Sequence, residues 1–223
     1  MIIQGYETKT EAVLIGARTL PLIKVKNLEG LVDREALLSD DSEEPPYWAH
    51  LWTGSITLVR YLDSRVLLQG ENVLDLGCGL GLVGVMAALK GGNVTFADKE
   101  REALAFARQS ASLNECLITK TTLVDFTVSN LRRRFSIILG AEILYDRPTF
   151  PQIILFLRRH LEIGGRAIFA DAHRTNTDEF YHALDQTDFE WTKEQFNEVE
   201  EGIPLKVDIV IVRHSDKGNT YHW

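Results

Sequence analysis

The hydrophobic residues between 73 and 184 alternate between two kinds of pattern. Short apolar runs of strand length lie at 73–76, 94–97, 121–124, 135–140 and 166–170. Apolar residues at helical spacing lie between and after these runs, at 82–89, 101–114, 149–160 and 177–184. Strands that alternate with helices form parallel sheets covered by helices on both faces. The pattern therefore predicts an α/β fold with a doubly wound, mostly parallel sheet.

Both ends of the chain depart from this alternation. Apolar runs at 190–196 and 206–213 follow each other without an intervening helix. They predict an antiparallel strand at one edge and bring the sheet to seven strands. Short apolar stretches at 12–15 and 20–25, interrupted by turn residues, predict an N-terminal β-hairpin. The pair Gly164–Gly165 is expected to end the preceding helix as a C-cap.

The predicted organisation is one domain with short flanking segments. Residues 1–46 form an N-terminal extension of β-hairpin and acidic loop, 47–214 form the main domain, and 215–223 form a loose tail. A chain of 223 residues fits this division. The acidic stretch at 33–44 is interpreted either as a solvated loop or as a mobile lid that attracts a basic substrate.

Composition and charge exclude several classes of function. The chain is 45% hydrophobic and 25% charged, which is usual for soluble globular proteins. Its formal net charge of −8 argues against nucleic acid as the main partner and is compatible with a cationic substrate. The sequence has no apolar run of membrane-spanning length, no signal-peptide pattern and no grouping with metal-ligand spacing. Because its two cysteines, Cys78 and Cys116, provide no disulfide framework, we expect a cytoplasmic protein with reduced thiols.

A glycine-rich turn follows the first strand of the predicted sheet. The strand at 73–76 runs into Gly77, Gly79 and Gly81 and then directly into a helix. Glycine lets a ligand approach bare backbone, and a helix N-terminus presents free N–H groups to it. Asp98 ends the next strand, about 20 residues on, the offset at which a carboxylate binds ribose hydroxyls in such folds. The pattern predicts a nucleoside-containing cofactor.

Two classes of cofactor compete for this turn. Residues 79–84 formally match the dinucleotide pattern G-x-G-x-x-G. Residues 75–81, Asp-Leu-Gly-Cys-Gly-Leu-Gly, resemble instead motif I of the seven-strand S-adenosylmethionine (AdoMet) methyltransferases, D-x-G-x-G-x-G. A carboxylate at Asp75 repels a pyrophosphate but suits AdoMet, which carries a sulfonium cation, an amino group and no phosphate. AdoMet is therefore favoured over a nicotinamide cofactor, and a glycine turn that binds nothing is a third interpretation.

Further motifs resemble methyltransferase family 16. Glu142 and Tyr145, which follow the fourth strand, match its D/E-x-x-Y/F signature, and the tryptophan-rich segment 48–55 is similar to the start of its first helix. The resemblance covers about 46–213. It implies a Rossmann-like fold with a seven-stranded sheet, AdoMet as cofactor and S-adenosylhomocysteine as product. It also implies that Trp52 packs against the cofactor.

Polar residues after successive strands supply the remaining cofactor candidates, because ligands in open α/β sheets lie beyond the carboxyl ends of the strands. Asp98 is expected to accept hydrogen bonds from both ribose hydroxyls, or else to cap the helix that begins near Glu100. After the third strand, Asp125 is expected to accept from the adenine amine while Phe126 packs on the base, or else fills the core. Ala141, at the end of the fourth strand, completes the predicted cofactor site.

The catalytic candidates follow from the reaction that the resemblance implies. Methyl transfer is an in-line displacement, so the protein must hold a neutral nucleophile and the methyl group in line. Glu142 is expected to orient an incoming amine and to stabilise the positive charge that develops on it, or else to be a structural carboxylate. Tyr145 is expected to line the acceptor channel. His173, after the fifth strand, is either a base or a structural histidine.

The predicted function is AdoMet-dependent N-methylation of a protein side chain, with lysine as the favoured acceptor. The protein is expected to be a monomer that binds neither nucleic acid nor membranes. The segment 46–49, Pro-Tyr-Trp-Ala, resembles enzymes that methylate lysines of the electron-transfer flavoprotein β-subunit. One alternative is methylation of a small-molecule amine or another metabolite by the same fold. Another is a non-catalytic protein that binds the cofactor and a client protein, and a nicotinamide oxidoreductase is a more distant one.

Overall fold

The structure is a computed structural model that describes residues 1–28, 45–128 and 131–215. Its strands are β1 Ile2–Ile3, β2 Tyr6–Ile15, β3 Arg18–Val25, β4 Asn72–Leu76, β5 Asn93–Asp98, β6 Lys120–Leu123, β7 Phe135–Ala141, β8 Leu161–Asp171, β9 Phe189–Glu200 and β10 Ile203–His214. Its α-helices are α1 Thr53–Arg65, α2 Leu82–Leu89, α3 Arg101–Leu113, α4 Phe150–His160 and α5 Asp178–Asp185. The predicted acidic loop at 33–44 and the tail beyond Ser215 lie outside the described residues.

Seven of the described strands form the central sheet, in the order β6-β5-β4-β7-β8-β10-β9. The first five run parallel to one another, and β10 pairs antiparallel with both β8 and β9. The strand order reverses between β4 and β7, so the carboxyl ends of these two strands flank the place where ligands bind in such sheets. The predicted seven-stranded, mostly parallel sheet with antiparallel pairing at one edge is confirmed.

Helices cover both faces of the sheet, as its buried strands require. On one face, α1, α2 and α3 pack in sequence over a core that includes Leu58, Val85 and Phe106. On the other face, α4 and α5 cover a second core that includes Phe169 and Phe180. The central strands β4, β5 and β7 are therefore mostly apolar on both sides, which explains their continuous apolar runs, whereas β6 at the sheet edge is partly exposed.

The predicted N-terminal hairpin is present as β2 and β3, with β1 added at its edge. This small sheet packs against α3, where the Ile23 N–H donates to Ser110 Oγ at 3.2 Å and Asn114 Nδ2 donates to the Pro21 carbonyl at 2.8 Å. Tyr6 reaches Trp48, with ring centroids 5.6 Å apart. The extension thereby supports the segment that leads into α1.

The prediction that Gly164–Gly165 ends α4 is wrong. The helix ends at His160, and Leu161, fully buried and extended, already pairs with Phe135 on β7. The glycines lie inside β8, where the pairing moves from Phe135–Leu161 to Ile137–Arg166. Gly164 has a φ of +82°, so the pair forms an irregularity in the strand instead of a helix cap. The buried Leu161 side chain determines the helix end, and the glycine spacing alone did not indicate it.

Candidate active site

The glycine turn joins β4 to α2 and is held from both sides. Asp75 on β4 is 1% exposed, and its Oδ2 accepts a hydrogen bond from the Gly84 N–H in α2 at 2.8 Å. Burial raises the pKa of Asp75 to about 7; the Gly84 hydrogen bond lowers it and the nearby Asp98 raises it. Asp75 thus connects β4 to α2 through a hydrogen bond. The electrostatic effect of Asp75 on a cofactor stays a prediction.

Two of the turn's glycines are needed for close approach. Gly81 begins α2 with a φ of +85°, and a Cβ there would lie 2.7 Å from the Cα of Ala107 on α3. Gly79 has a φ of +49°, and a Cβ there would lie 3.0 Å from the Trp48 carbonyl oxygen. Gly77 also has a positive φ. The turn is therefore tightly packed against α3 and the segment before α1, with its backbone facing the sheet edge.

Asp98 ends β5 beside the glycine turn. Its Oδ2 accepts from the Gly79 N–H at 2.9 Å, and its Oδ1 accepts from the Glu100 N–H at 3.0 Å. Burial raises the pKa of Asp98, and these two backbone hydrogen bonds oppose the rise. The bond to Glu100 lies at the start of α3, but Glu100 is the N-cap residue and no side chain caps this helix, so Asp98 does not take the alternative role of a cap. A carboxylate has about four acceptor sites, so Asp98 retains acceptor capacity beyond these backbone contacts, and its role in binding ribose stays a prediction.

The predicted adenine-side residues lie after β6. Asp125 is exposed, and its Oδ1 accepts from both the N–H and the hydroxyl of Thr127. Phe126 is half-buried and packs against the core of the α4 face. The Val124 N–H donates to the Asp98 carbonyl at 2.8 Å, which brings this segment to the same edge as the ribose candidate. The roles of Asp125 and Phe126 toward a base stay predictions.

Glu142 follows Ala141, the last residue of β7, at the same edge of the sheet. Its backbone is in the left-handed region, with a φ of +58°, and its side chain is 5% exposed. Its Oε1 accepts from the Gly54 N–H in the first turn of α1 at 3.0 Å. Burial raises the pKa of Glu142, and Arg174 and the Gly54 hydrogen bond oppose the rise. An unusual backbone held around a buried carboxylate is typical of functional positions.

A cluster of aromatic rings is connected to this carboxylate through Arg174, which lies near Glu142 and over the Trp52 ring. Trp52 precedes α1, donates its indole N–H to the Tyr47 carbonyl at 3.0 Å, and lies 4.4 Å from the His50 ring. Tyr145, 39% exposed, lies 5.8 Å from the Tyr47 ring. The structure thus brings both members of the predicted signature and the predicted tryptophan into one neighbourhood. The rings of Trp52, Tyr47 and Tyr145 are suited to contact the apolar stem of a side chain that ends in a cation.

Arg174 and Glu200 belong to the same site, although the sequence did not predict them as site residues. Arg174 donates from Nη1 and Nη2 to the two carboxylate oxygens of Glu200, each at 2.7 Å, and its Nη2 also lies 3.6 Å from Glu142 Oε1. Its guanidinium carbon lies 5.2 Å from the Trp52 ring centroid. The position of Arg174 could have indicated a site residue, because it comes directly after the polar residues that end β8. Glu200, at the end of β9, offered no such indication.

His173 lies between two buried carboxylates. Its Nε2 is 3.3 Å from Asp208 Oδ2, its Nδ1 is 3.6 Å from Asp171 Oδ2, and its φ is +55°. Lys193 Nζ also lies 2.9 Å from Asp208 Oδ2. These contacts favour the structural interpretation of His173 over the role of base. Within the three described ranges, no group of His, Cys, Asp and Glu side chains has the arrangement of a metal site.

Solved structures share this fold. The solved magnesium protoporphyrin IX methyltransferase of Synechocystis PCC 6803, with bound AdoMet, matches with a TM-score of 0.59 at 18% identity, covering 71% of this chain and 77% of that one. This likeness shows the α/β fold of the AdoMet-dependent methyltransferases. The family is more specific: residues 33–187 match the model of the lysine methyltransferase family, methyltransferase family 16. The chain belongs to this family.

Several curated relatives are similar over the same region. Protein N-lysine methyltransferase METTL21A of Danio rerio is 33% identical over 149 residues, 62% of this chain and 66% of the relative. A histidine protein methyltransferase 1 homologue of Dictyostelium discoideum is 30% identical over 65% of this chain and 48% of its own. The electron transfer flavoprotein β-subunit lysine methyltransferase of Xenopus laevis is 30% identical over 55% and 50%. The chain thus spans 48% to 66% of the length of these three relatives.

Proposed function

We propose that this protein is an AdoMet-dependent protein methyltransferase that transfers a methyl group to a lysine side chain. The observation that carries the proposal is the buried carboxylate of Glu142, which lies just beyond the carboxyl end of β7 and near Arg174, whose guanidinium lies over the Trp52 ring. The relatives named as lysine methyltransferases support the same acceptor. The relative named as a histidine methyltransferase makes histidine the second acceptor to test.

The residues at the sheet edge fit the proposed cofactor. Asp98 retains acceptor capacity for the ribose hydroxyls, and the glycine turn beside it allows a ligand to approach the backbone closely. Asp125 and Phe126 would contact the adenine, and Trp52, Ala141 and the glycines at 77, 79 and 81 would line the rest. When bound, AdoMet supplies the activated methyl group and a sulfur leaving group.

The protein's own part in the reaction is to bind and orient the acceptor. A lysine amine is mostly protonated at neutral pH and must lose its proton before it can act as a nucleophile. In the proposal, Glu142 binds the incoming ammonium and holds its nitrogen in place as the proton passes to solvent. Tyr145 and Trp52 exclude water from the stem of the lysine and keep it in line. Glu142 then stabilises the positive charge that develops as the new N–C bond forms.

Several broader properties belong to the same proposal. We propose a monomer that acts on a protein in the cytoplasm and binds neither nucleic acid nor membranes. The net charge of −8 and the free thiols of Cys78 and Cys116 support this. Across the described residues, none of the helices combines the length and apolar character that crossing a bilayer requires.

The test is transfer of tritiated methyl from AdoMet into a lysate of cells that lack this protein, with Asp98→Ala as the control. Label in a discrete acid-insoluble band, absent with the variant, supports a protein methyltransferase and identifies the substrate for mass spectrometry. A methylated lysine supports the proposal, and a methylated histidine replaces the acceptor. Label confined to the acid-soluble fraction contradicts it in favour of a metabolite, and label in neither fraction favours a non-catalytic binding protein.

A further inference from the structure

The guanidinium of Arg174 is shared unequally between two carboxylates. It makes a two-pronged hydrogen bond with Glu200, both N–O distances being 2.7 Å, and it stays 3.6 Å from Glu142. Two-pronged arginine–carboxylate pairs are the stronger and more directional kind. Arg174 therefore makes its short hydrogen bonds with Glu200 and a longer ion pair with Glu142.

Glu200 is held in place independently of Arg174. The Thr53 hydroxyl donates to its Oε1 at 2.7 Å, which ties the end of β9 to the first turn of α1. The Arg174 hydrogen bonds lower the pKa of Glu200 to about 2, against an opposing effect of burial. On its other side, Arg174 lies over the Trp52 ring. The guanidinium thus has a fixed position between strand and ring.

The groups that face Glu142 come from three elements. From α1 it meets the Gly54 N–H, from the end of β8 the charge of Asp171 and the Ala172 N–H, and from the following loop Arg174. Burial and Asp171 disfavour the charged form of Glu142, and Arg174 is the cation that favours it. The ionisation of Glu142 accordingly depends on where Arg174 is held.

We propose that Arg174 is a positioning residue, which Glu200 holds close enough to Glu142 to keep that carboxylate charged and too far away to occupy its hydrogen-bonding sites. Two carboxylates and one guanidinium carry one net negative charge, which a single cationic side chain balances. The inference rests on the proposed function, since it assigns this site to an acceptor that arrives as a cation. It predicts that lysine binds there as the ammonium form.

The test is a titration of Glu142 in the free protein by 13C NMR of labelled glutamate carboxyls, with the Glu142→Gln spectrum identifying the resonance. In Arg174→Gln the midpoint is expected to move to higher pH, because the favouring cation is lost. In Glu200→Gln it is expected to move to lower pH, because the released guanidinium pairs directly with Glu142. Opposite shifts are the signature of positioning, since a general loss of packing would move both variants in the same direction.

Two further variants complete the design. Arg174→Lys keeps the cation without the two-pronged geometry and is expected to restore the midpoint toward that of the wild type. Arg60→Gln removes a similar arginine pair, with Glu198 on the same strand, and is expected to leave the Glu142 midpoint unchanged. If Arg174→Gln fails to fold, a shift of the Glu142 midpoint to lower pH in Glu200→Gln still tests the positioning role of Arg174. Unmoved midpoints in both the Arg174 and Glu200 variants, or shifts in the same direction, would overturn the inference.

The titration needs no substrate, so its failure differs from failure of the proposed function. Methyl transfer into the lysate is measured in parallel from pH 6 to 9. In Arg174→Gln, the rise of the rate on the acid side of the pH profile should move to higher pH. In Glu200→Gln, the rate should fall. Shifted midpoints without any wild-type transfer would contradict the proposed function. Wild-type transfer without shifted midpoints would contradict the role of Arg174.

Discussion

The carboxylate of Asp75 accepts a hydrogen bond from the backbone N–H of Gly84, with 2.8 Å between the two atoms. The acid that precedes the glycine turn is thereby joined to the helix that follows it, inside the core. A Cβ on Gly84 would lie 2.8 Å from Asp75 Oδ2 and 2.3 Å from the ring of Phe96. Glycine at this position therefore allows the contact, and the contact fixes the shape of the turn.

We expect Asp75→Asn to change how stability depends on pH. Burial raises the pKa of Asp75 to about 7 in the folded protein, against 3.8 ordinarily. Between these values the folded state binds more protons than the unfolded state, so the free energy of unfolding falls as the pH rises. Asparagine does not ionise, so the variant lacks this decrease in the free energy of unfolding. It keeps a side-chain oxygen that accepts the hydrogen bond from the Gly84 N–H.

Urea denaturation at pH 4.5 and pH 8 checks this expectation. From the lower to the higher pH, the stability of Asp75→Asn should rise relative to the wild type by about 2–4 kcal/mol. A difference that does not change with pH would show that Asp75 titrates normally. Far-UV circular dichroism of both proteins controls for a change of fold.

Gly81 and Gly164 offer a matched pair for separating backbone strain from steric contact. Their φ angles are +85° and +82°, but an added Cβ at Gly164 meets no described atom within 4 Å, whereas at Gly81 it meets the backbone of α3. We expect Gly164→Ala to cost about 1 kcal/mol from the left-handed backbone alone. Gly81→Ala should cost about 2–4 kcal/mol and weaken AdoMet binding. Urea denaturation and calorimetric titration measure the two effects, and equal losses of stability would contradict the role of the α3 contact.

Much of the site could be predicted because parallel strands end at one edge of their sheet. Apolar runs located the strand ends, and the residues after them brought Asp98 and Glu142 to that edge before any contact was known. Their hydrogen bonds to Gly79 and Gly54 are local consequences of the same geometry. The resemblance to the family then indicated that Asp98 and Glu142 are site residues and not ordinary surface carboxylates.

The contacts of Arg174 could not be predicted, because they depend on pairing between distant segments. Glu200 ends β9, which β10 separates from β8, and hydrophobic periodicity reveals neither this strand order nor that Glu200 contacts Arg174 across it. The start of β8 was predicted too late in the chain for a related reason. Gly164 looked like a helix cap in sequence, but pairing of Leu161 with Phe135 begins the strand earlier. Tertiary pairing outweighs local preference in both cases.

We expect Glu142→Gln to separate turnover from cofactor binding. Glutamine keeps an oxygen for the Gly54 N–H, so α1 stays in place, but it loses the charge that binds and stabilises a cationic acceptor. Methyl transfer should fall by about a hundredfold or more, with AdoMet affinity within about twofold. Tritium transfer and calorimetric titration measure these quantities. Glu194→Gln, at an exposed glutamate that pairs with Arg65, is the control and should leave both unchanged. Unchanged transfer in Glu142→Gln would leave Glu142 a structural carboxylate.

The last prediction concerns the buried carboxylate of Asp208. It is fully buried and lies 2.9 Å from Lys193 Nζ, and it accepts from Gln195 Nε2 at 3.0 Å. Burial opposes its ionisation, but Lys193 and Gln195 outweigh burial and hold the pKa of Asp208 below its ordinary value. A carboxylate with a depressed pKa stabilises the fold above about pH 4, and this contribution is lost as the pH falls through the folded-state pKa.

Lys193→Met leaves this carboxylate buried without its nearest cation. Because Lys193 is itself partly exposed, we expect a loss of about 2 kcal/mol at pH 7, less than for a fully buried pair. The loss should shrink below pH 4, where Asp208 becomes protonated, and the double variant Lys193→Met with Asp208→Asn should recover part of it. Urea denaturation at pH 7 and pH 3.5 measures both effects. Lys26→Met, which breaks an exposed pair with Glu7, is the control and should cost under about 1 kcal/mol. Equal costs for the two lysine variants at pH 7 would show that Asp208 does not depend on Lys193.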